Sequence, residues 1–286
     1  MKNYVLKNGF NIPAIGLGAK NVWMDDSDDL SILRKKEYEI YAYAMSSNKC
    51  KLFDTSESYG ENEEILGEAL VDTGSRDNVI LMTKIGNKSQ QGKVRKAFER
   101  SLKRLKTDYI DIYLIHWPQT GTFVSTWLEI EKLYEEGLVK AIGVCNCNKH
   151  HIAAIRKEAN VMPMINEIEV HPLFTQDALV NYCFAKDIQV VAYTPVGRMH
   201  DVLIRSNPVR TLSNKYGVTE VQLILRWHYQ LGRVSIPSTL NKEHFDQIFD
   251  IDSFEITEKD MAWISSLNEN TRLRYNSDTC DFSWLG

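Results

Sequence analysis

The sequence predicts a single α/β domain with the (β/α)8 (TIM) barrel fold, closed at the bottom by an N-terminal β-hairpin. β-Branched and apolar runs alternate with helical patterns along the chain, as in a parallel sheet with helices on its outside. Eight such strand patterns follow the hairpin. No composition break, long linker or low-complexity segment divides residues 1–286, so we expect one closed barrel and not an open doubly wound sheet.

The hairpin is expected at the start of the chain. Tyr4-Val5-Leu6 and Phe10-Asn11-Ile12-Pro13 flank Lys7-Asn8-Gly9, and Asn-Gly between two apolar runs is a strong turn signal. The first barrel strand, Ala14–Gly18, then ends in a glycine, where backbone can approach a ligand closely. We therefore expect Ala19 and Lys20, the next two residues, to lie beside a bound ligand.

An acidic run precedes the first predicted helix. Carboxylates at this place complement the positive N-terminus of a helix, so we expect the run to cap it. The run lacks the glycine and the distal glutamate of a calcium loop, and no metal is expected here. The acidic residues are Asp25, Asp26, Asp28 and Asp29, and the apolar positions of the helix are Leu30, Leu33, Tyr38 and Tyr41.

From Leu52 onward, strand and helix patterns alternate. Each strand is a short apolar run, and each helix has apolar residues on one face and charges on the other. After a first run that stops at Phe53-Asp54, the predicted strands are 79–84, 110–116, 139–144, 164–168, 188–193 and 234–236. The predicted helices are 61–70, 93–105, 127–135, 176–185 and 219–229.

Composition limits the class of protein. A formal charge of −4 and a pI near 6.0 give no basic field for a phosphate backbone, so a nucleic-acid partner is not expected. The N-terminus lacks the apolar region of a signal peptide, and no stretch approaches membrane-spanning length. Five scattered cysteines suit reduced thiols, and Cys145-Asn146-Cys147 lacks the second ligand pair of a metal site. We expect a cytoplasmic monomer without metal or membrane partner.

Four polar residues end or follow strands in a way that predicts an active site. Asp54 and Tyr59 lie five residues apart where an apolar run stops and a helix starts, and Lys84 and His116 each end an apolar run of their own. The carboxyl ends of parallel strands converge on one site. A helix cap, a packed ring, a surface charge and a core imidazole would explain them singly, but together those explanations require four coincidences.

These side chains suit proton transfer to a developing alkoxide. A lysine at the end of a buried strand must be paired, and Asp54 is the natural counter-ion. The ammonium of Lys84 would stabilise the phenolate of Tyr59, whose ordinary pKa is about 10, so that the phenol exchanges protons near neutrality. His116 would donate a second hydrogen bond to the same oxygen. No side chain donates hydride, so a nicotinamide cofactor is required.

Three segments carry a family resemblance. Asp54–Gly60 (DTSESYG), Leu81–Ile85 (LMTKI) and Leu114–Pro118 (LIHWP) resemble the catalytic signatures of the aldo-keto reductases, in the same order. The similarity extends from Gly16-Leu17-Gly18 to Asp281-Phe282 and is closest to the prokaryotic type with a short C-terminal loop. The resemblance implies carbonyl reduction with Tyr59 as general acid, tuned by Lys84 and Asp54, while His116 orients the carbonyl.

The same resemblance implies where a nicotinamide cofactor binds, since the Gly-x-Gly-x-x-Gly fingerprint of a Rossmann site is absent. The segments 143–146, 166–172 and 192–197 resemble family motifs at the barrel mouth, with Tyr193 stacked on the nicotinamide. Within these segments two residues depart from the family: Cys145 replaces serine and Glu167 replaces glutamine. The expected cofactor-binding residues are Gly18, Ala19, Lys20, Cys145, Asn146, Glu167, Tyr193, Thr194, Pro195, Val196, Gly197, Arg198, Ile236, Ser238, Thr239, His244, Gln247 and Ile248.

The stretch after the last strand favours NADH over NADPH. Family members that use NADPH read I-P-K-S here, with an arginine six positions after the lysine, and these cations hold the 2′-phosphate. Ser238 and His244 stand at those two positions, and Asp246 adds negative charge. An imidazole with a pKa of about 6.5 is mostly neutral at pH 7. NADP(H) stays possible if Lys242 swings in or if a phosphate keeps the imidazole charged.

The expected substrate is a small aldehyde, ketone or the corresponding alcohol, with Trp23, Trp117 and Trp284 as pocket walls. Two other functions remain open. Lys84 at a buried strand end is a candidate Schiff-base residue of an aldolase, although the cofactor-like segments are then unexplained. A barrel that only binds a nucleotide, as a non-catalytic subunit, is the second, but all four catalytic positions carry competent side chains.

Overall fold

Eight parallel strands form one sheet in residues 1–20, 30–90 and 92–280, the part of the chain that the computed structural model describes. A two-stranded antiparallel hairpin precedes them. The strands are β1 Asn3–Val5, β2 Asn11–Pro13, β3 Leu17–Gly18, β4 Leu52–Asp54, β5 Ile80–Ile85, β6 Ile110–Ile115, β7 Val139–Cys145, β8 Ile165–Glu169, β9 Gln189–Tyr193 and β10 Val234–Ser235. The predicted fold class, a (β/α)8 barrel with an N-terminal hairpin, is confirmed.

Helices connect the strands on the outside of the sheet. The helices are α1 Leu30–Ser47, α2 Asn62–Thr73, α3 Val94–Arg104, α4 Phe123–Glu135, α5 Lys149–Glu158, α6 Asp177–Phe184, α7 Asp201–Ile204, α8 Asn207–Tyr216, α9 Glu220–Gln230, α10 Lys242–Ile248 and α11 Glu258–Ser265. The five predicted helices from residue 61 onward correspond to α2, α3, α4, α6 and α9. No helix in the described ranges is long and apolar enough to cross a bilayer.

The sheet closes into a ring where its first and last strands meet. Neighbouring strands pair in sequence order from β3 to β10. Ile15 then bridges to Ser235 in parallel, the amide of Gly16 donates to the carbonyl of Ser235 at 2.9 Å, and the amide of Ser235 donates to Ala14 at 3.0 Å. A Cβ atom on Gly18 would lie 2.7 Å from the carbonyl oxygen of Ile236. The close approach that Gly18 permits is therefore to the neighbouring strand.

The hairpin covers the amino-terminal ends of the barrel strands. Tyr4 pairs with Ile12, and the turn places Gly9 in the left-handed region, with φ of 85°. Lys7 donates to the carbonyl of Met162, just before β8, at 2.6 Å, and Asn8 donates to that of Lys140, near the start of β7, at 2.8 Å. These bonds fix the hairpin across one end of the barrel and leave the carboxyl ends of the strands open.

Burial on both faces explains the continuous apolar runs of the strands. Every residue of β6 is buried, and so is every residue of β8. Asp111 is the charged residue of β6; it is buried too, and its carboxylate is paired with Arg76 at 2.9 Å and Lys140 at 2.7 Å. A charge in a strand core thus has partners at the bottom of the barrel, as burial requires.

Helix α1 agrees only in part with the sequence pattern. Tyr41 is buried, but Leu30 is 66% exposed at the first residue of the helix, and Leu33 and Tyr38 are half-buried. The buried face is formed instead by Glu37, Ile40, Tyr41, Ala44 and Met45. The acidic run from Asp25 to Asp29 lies outside the described residues.

Candidate active site

Lys84 lies at the centre of a buried charge cluster at the open end of the barrel. Its side chain is wholly buried near the end of β5, and its ammonium lies 2.5 Å from Oδ1 of Asp54, the last residue of β4. It also donates to the backbone carbonyl of Thr55 at 3.0 Å. A third oxygen, Oε1 of Glu167 in β8, lies 3.3 Å away. The ammonium is thus held between two carboxylates from opposite walls of the barrel.

Tyr59 and His116 lie next to this cluster. The Tyr59 ring meets the His116 ring edge-on, with centroids 5.4 Å apart and an interplanar angle of 84°. The ammonium of Lys84 is 5.2 Å from the Tyr59 ring centroid. Nδ1 of His116 shares a hydrogen bond of 3.0 Å with the hydroxyl of Ser56, which fixes the ring and leaves Nε2 as its second polar atom. The four predicted catalytic side chains therefore lie together.

Burial sets the protonation of the two rings. The pKa of Tyr59 is raised well above its ordinary value, first by burial and also by Asp54 and Glu167, while Lys84 acts in the opposite direction. Lys84 thus lowers the pKa of the phenol, as expected, but burial raises it by more, so the phenol stays protonated at neutral pH. Burial, with Lys84 and Arg274, lowers the pKa of His116 well below its ordinary value, so the imidazole is neutral. The phenol of Tyr59 is a hydrogen-bond donor at neutral pH. The neutral imidazole of His116 donates from Nε2 in the tautomer in which Nδ1 accepts from Ser56.

Glu167, which the sequence analysis predicts to bind the cofactor, is a buried residue of the cleft. Its side chain is 1% exposed, and its Oε2 atom has no hydrogen-bond partner among the described residues. Burial first, and then Asp54, raise the pKa of Glu167 to about 8, while Lys84 opposes them. The carboxyl group therefore carries a proton for much of its time at neutral pH and can donate as well as accept.

Asn146 links the carboxyl ends of β6, β7 and β9. It follows β7 in the left-handed region, with φ of 61°, and its amide donates to the backbone carbonyl of His116 at 3.0 Å. Its Oδ1 atom accepts from the hydroxyl of Tyr193 at 2.6 Å. Burial, followed by Glu167, raises the pKa of Cys145, so this residue presents a protonated thiol beside the amide. The network fixes the Tyr193 ring at the barrel mouth.

A cleft of about 540 Å³ opens above these groups. Its walls include Asp54, Tyr59 and His116, whereas Lys84 lies beneath it. Most of the predicted binding residues line it: Gly18, Ala19, Lys20, Trp117, Cys145, Asn146, Glu167, Tyr193, Thr194, Pro195, Val196, Arg198, Ile236 and Ser238.

Five of the predicted cofactor residues do not line this cleft. Ile248 is 3% exposed and packs in a core cluster with Ile15, Leu225 and Ile251, so its side chain is part of the core. His244 and Gln247 are exposed on α10. Thr239 accepts from the amide of Asn241, and Gly197 is buried with φ of 56°. The predicted pocket walls Trp23 and Trp284 lie outside the described residues.

The C-terminal segment supplies cleft residues that sequence reasoning missed. Tyr275 lies against Trp117, with ring centroids 6.4 Å apart, and Arg274 lines the same wall. The backbone amides of Leu273 and Arg274 donate to the two carboxylate oxygens of Glu169, at 2.6 and 3.0 Å. The sequence signal that could have indicated this contact was Glu169 itself, because a buried carboxylate at the end of a strand requires hydrogen-bond donors. Ser58, Asn87, Met199 and Pro237 were also missed.

The site fits a nicotinamide cofactor. Oε2 of Glu167 and Oγ1 of Thr194 are buried polar atoms of cleft residues, and neither has a hydrogen-bond partner in the described ranges. Buried polar atoms need partners, and a carboxamide supplies both donors and an acceptor. Thr194 and Arg198 have φ of 44° and 54°, which is unusual for residues other than glycine and shapes the wall between them.

Comparison with known proteins identifies the class. A model of the Aldo/keto reductase family matches residues 14–269, and the chain belongs to that family. It is accordingly an oxidoreductase that acts on carbonyl groups.

Three relatives illustrate the similarity. Glyoxal reductase of Bacillus subtilis (strain 168) is 34% identical over 275 residues, which cover 96% of this chain and 95% of that protein. The structure of MGS-M4, an aldo-keto reductase from a Medee basin deep-sea metagenome library, has a TM-score of 0.89 at 33% identity and covers 98% of this chain and 100% of its own. A Bombyx mori aldo-keto reductase in complex with NADP has a TM-score of 0.85 at 30% identity, with coverage of 97% and 96%.

Proposed function

We propose that this enzyme reduces small aldehydes and ketones to alcohols, with Tyr59 as the general acid. One observation carries the proposal: the phenol of Tyr59 and the imidazole of His116 meet edge-on at 5.4 Å at the base of the cleft, with the ammonium of Lys84 at 5.2 Å from the phenol ring. Two neutral donors thus converge where a carbonyl oxygen would enter, and a cation lies behind them.

The side chains divide the work as follows. Tyr59 holds its proton at neutral pH and gives it to the carbonyl oxygen as negative charge develops there. His116 donates a hydrogen bond to the same oxygen and so orients the carbonyl. Lys84 stabilises the phenolate left behind, and Asp54 holds that ammonium in place at 2.5 Å. A bound nicotinamide supplies the hydride.

The proposed cofactor site lies along the opposite wall of the cleft. Asn146 and Glu167 line the cleft and would hold a carboxamide, and Tyr193, fixed by its bond to Asn146, would offer a flat ring for stacking. The segment from Thr194 to Arg198 would follow the pyrophosphate. These roles account for the two buried orphan oxygens of Glu167 and Thr194.

Small dicarbonyl compounds are the substrates that we expect first. A 34% identical relative is a glyoxal reductase, and the aromatic pair of Trp117 and Tyr275 narrows the cleft beside His116. The direct test is to follow NADH and NADPH oxidation separately with glyoxal, methylglyoxal, aromatic aldehydes, ketones and sugars. No oxidation above background with any carbonyl compound would contradict the proposed function.

We also propose that NADH is preferred to NADPH. Ser238 is exposed at the cleft edge, where a lysine would hold a 2′-phosphate, and His244 is exposed on α10. Asp246 contributes little to this preference, because it is paired with Lys49 and accepts from Tyr43 at 2.8 Å, so its charge is balanced. The preference now depends on the missing cation at Ser238 and the weak one at His244.

The two other functions are less well supported. Burial alone would lower the pKa of Lys84, but Asp54 and Glu167 raise it well above its ordinary value, so the amine stays protonated beneath the cleft. A protonated amine without access to the cleft is a poor Schiff-base nucleophile. Borohydride trapping with a carbonyl substrate tests this point. A barrel that only binds a nucleotide does not require Tyr59 and His116 to converge at the base of the cleft, so this arrangement disfavours a non-catalytic subunit.

A further inference from the structure

Arg274 is a cation of the cleft that the proposed cofactor site does not use. Among the described residues that line the cleft, the other positively charged side chains at its surface are Lys20 and Arg198. Both belong to segments that we assign to the cofactor. Arg274 instead comes from the C-terminal segment, and its wall is shared with His116, Trp117 and Tyr275.

Arg274 lies on the opposite side of the barrel mouth from Ser238, the position proposed to face the 2′-position of the cofactor ribose. In the order of the barrel strands, β6 is the fourth and β10 the eighth, so their carboxyl ends lie on opposite sides of the mouth. His116 and Trp117 follow β6, and Ser238 follows β10. A run of ring contacts leads from His116 to Trp117 (6.2 Å between centroids), to Tyr275 (6.4 Å) and to the Arg274 guanidinium (5.5 Å from the Tyr275 ring). Arg274 therefore lies on the substrate side.

The backbone at Arg274 is held firmly. Its amide donates to Oε2 of Glu169 at 3.0 Å, while the amide of Leu273 donates to Oε1 at 2.6 Å. Glu169 is 1% exposed, and its Oε1 atom also lies 3.0 Å from Nε2 of His171. A buried carboxylate in the barrel thus fixes where the Arg274 side chain begins, so that the guanidinium is presented to the cleft at low entropic cost.

In the part of the chain that the structure describes, no acidic side chain forms an ion pair with Arg274. Its positive charge acts on two other residues of the cleft. Burial first, and then Lys84 and Arg274, lower the pKa of His116; burial raises the pKa of Tyr193, and Arg274 opposes that rise. The guanidinium of Arg274 is half-buried and has no counter-ion among the described residues. In a cleft that binds ligands, such a group suits bidentate recognition of a carboxylate.

We propose that Arg274 selects carbonyl substrates that carry a carboxylate, and holds that carboxylate while the carbonyl group lies at Tyr59 and His116. This inference depends on the proposed carbonyl reduction and names a substrate class for it. The aromatic rings of Trp117 and Tyr275 lie between His116 and the guanidinium, so the preferred substrate has an apolar spacer between its two ends. Aldehyde acids with an aromatic or short alkyl spacer meet that description.

A matched pair of substrates isolates the charge. 4-Carboxybenzaldehyde and its neutral methyl ester, methyl 4-formylbenzoate, differ in the carboxylate and little in the reacting aldehyde. We expect the wild type to reduce the acid with the higher kcat/KM, and this advantage to shrink as ionic strength rises, because salt screens charge attraction.

Variants of the C-terminal segment show which residue produces the preference for the acid. Arg274→Met keeps the apolar stem and removes the charge, so kcat/KM for the acid should fall about 10- to 100-fold, mainly through KM, while the ester changes little. Arg274→Lys should recover part of the loss. Arg272→Met is the matched control, because Arg272 lies in the same segment but over the Phe174 ring, at 4.5 Å, and outside the cleft lining. It should leave both substrates unaffected.

The outcomes separate this inference from the proposed function. An equal loss for the acid and the ester in Arg274→Met, with an unchanged melting temperature, would mean that Arg274 shapes the cleft without recognising charge. A wild type that shows no preference for the acid would also overturn the inference. If the wild type oxidised neither NADH nor NADPH with these aldehydes or with any other carbonyl compound tested, the proposed function itself would fail.

Discussion

The carboxyl group of Glu167 lies 3.3 Å from the ammonium of Lys84, across the barrel from the shorter Asp54 contact of 2.5 Å. One ammonium therefore faces two carboxyl groups in a buried site, and Tyr59 lies beside all three. When both carboxyl groups are ionised, the local charge is negative, which opposes formation of a phenolate. When Glu167 is protonated, Lys84 and Asp54 balance each other and the phenol gives up its proton more readily.

This relationship predicts the pH dependence of the enzyme. The pKa of Glu167 is raised to about 8, so the group ionises as the pH rises through that value. We expect the wild-type reduction rate to fall over this range, and Glu167→Gln, which keeps a neutral polar side chain, to lose that part of the fall. The measurement is kcat from about pH 6 to pH 10 for both proteins. Identical basic limbs would show that Glu167 does not control the rate.

The same shift predicts an effect on stability. Because the pKa of Glu167 is higher in the folded than in the unfolded protein, the unfolded state binds fewer protons between the two values, and stability falls as the pH rises from about 4.5 to about 8. Glu167→Gln removes this contribution, so its melting temperature should depend less on pH in that window. Thermal melts of both proteins at closely spaced pH values test this, and parallel curves would contradict it.

Tyr59→Phe tests the proposed acid. The change removes only a hydroxyl group from a half-buried ring, so the edge-on contact with His116 and the fold should persist. Turnover should fall by roughly 10² or more, which is the scale expected for a positioned acid. Single-turnover rates and a thermal melt give the two readouts. Wild-type turnover in a folded Tyr59→Phe protein would exclude the role.

Lys84→Met tests the buried ammonium. The variant keeps most of the apolar stem but leaves Asp54 and Glu167 without their cation, and removal of one partner of a buried pair costs about 3–5 kcal/mol. We expect a lower free energy of unfolding in denaturant and a loss of activity. In the pH–rate profile of any residual activity, the basic limb should shift to higher pH.

The double variant Lys84→Met with Glu167→Gln provides the control. It removes one of the two uncompensated acids, so it should be more stable than Lys84→Met alone. A double variant that is no more stable, together with an unchanged pH profile in Lys84→Met, would mean that the ammonium is coupled neither to Glu167 nor to Tyr59.

Cofactor choice is tested by restoring the missing cations. Ser238→Lys with His244→Arg should raise kcat/KM with NADPH relative to NADH by about 10-fold or more, since each charged hydrogen bond contributes roughly 1.5–3 kcal/mol. The wild type should favour NADH. A clear wild-type preference for NADPH, or no gain in the double variant, would show that these positions do not face the 2′-phosphate.

Eight strands and the cluster at their carboxyl ends were predictable because both depend on local pattern. A buried strand must be apolar on both faces, and a polar residue at its end is conspicuous, as Lys84 is after Ile80–Thr83. The contact between Glu167 and Lys84 was not predictable, since it joins β8 to β5 across the barrel and depends on register and curvature. Glu167 alone looked like a cofactor ligand.

The positions of two other residues, Ile248 and Arg274, could not be predicted from the sequence, also for physical reasons. The family resemblance assigned Ile248 to the cofactor, but α10 turns this side chain into the core with Ile15 and Leu225. Arg274 lies in a segment without regular periodicity, and its position is set by hydrogen bonds from main-chain amides to Glu169. Main-chain donors are common to nearly all residue types, so no sequence pattern reveals such an anchor.

That anchor also bears on how this enzyme can change over evolutionary time. Because Glu169 grips amide groups and not side chains, residues 273 and 274 can be exchanged for almost any amino acid except proline without loosening the segment. The side chains of this segment can therefore change while its backbone stays anchored to the barrel. New substrate preferences can arise there one substitution at a time, while the proton-transfer machinery in the barrel stays untouched.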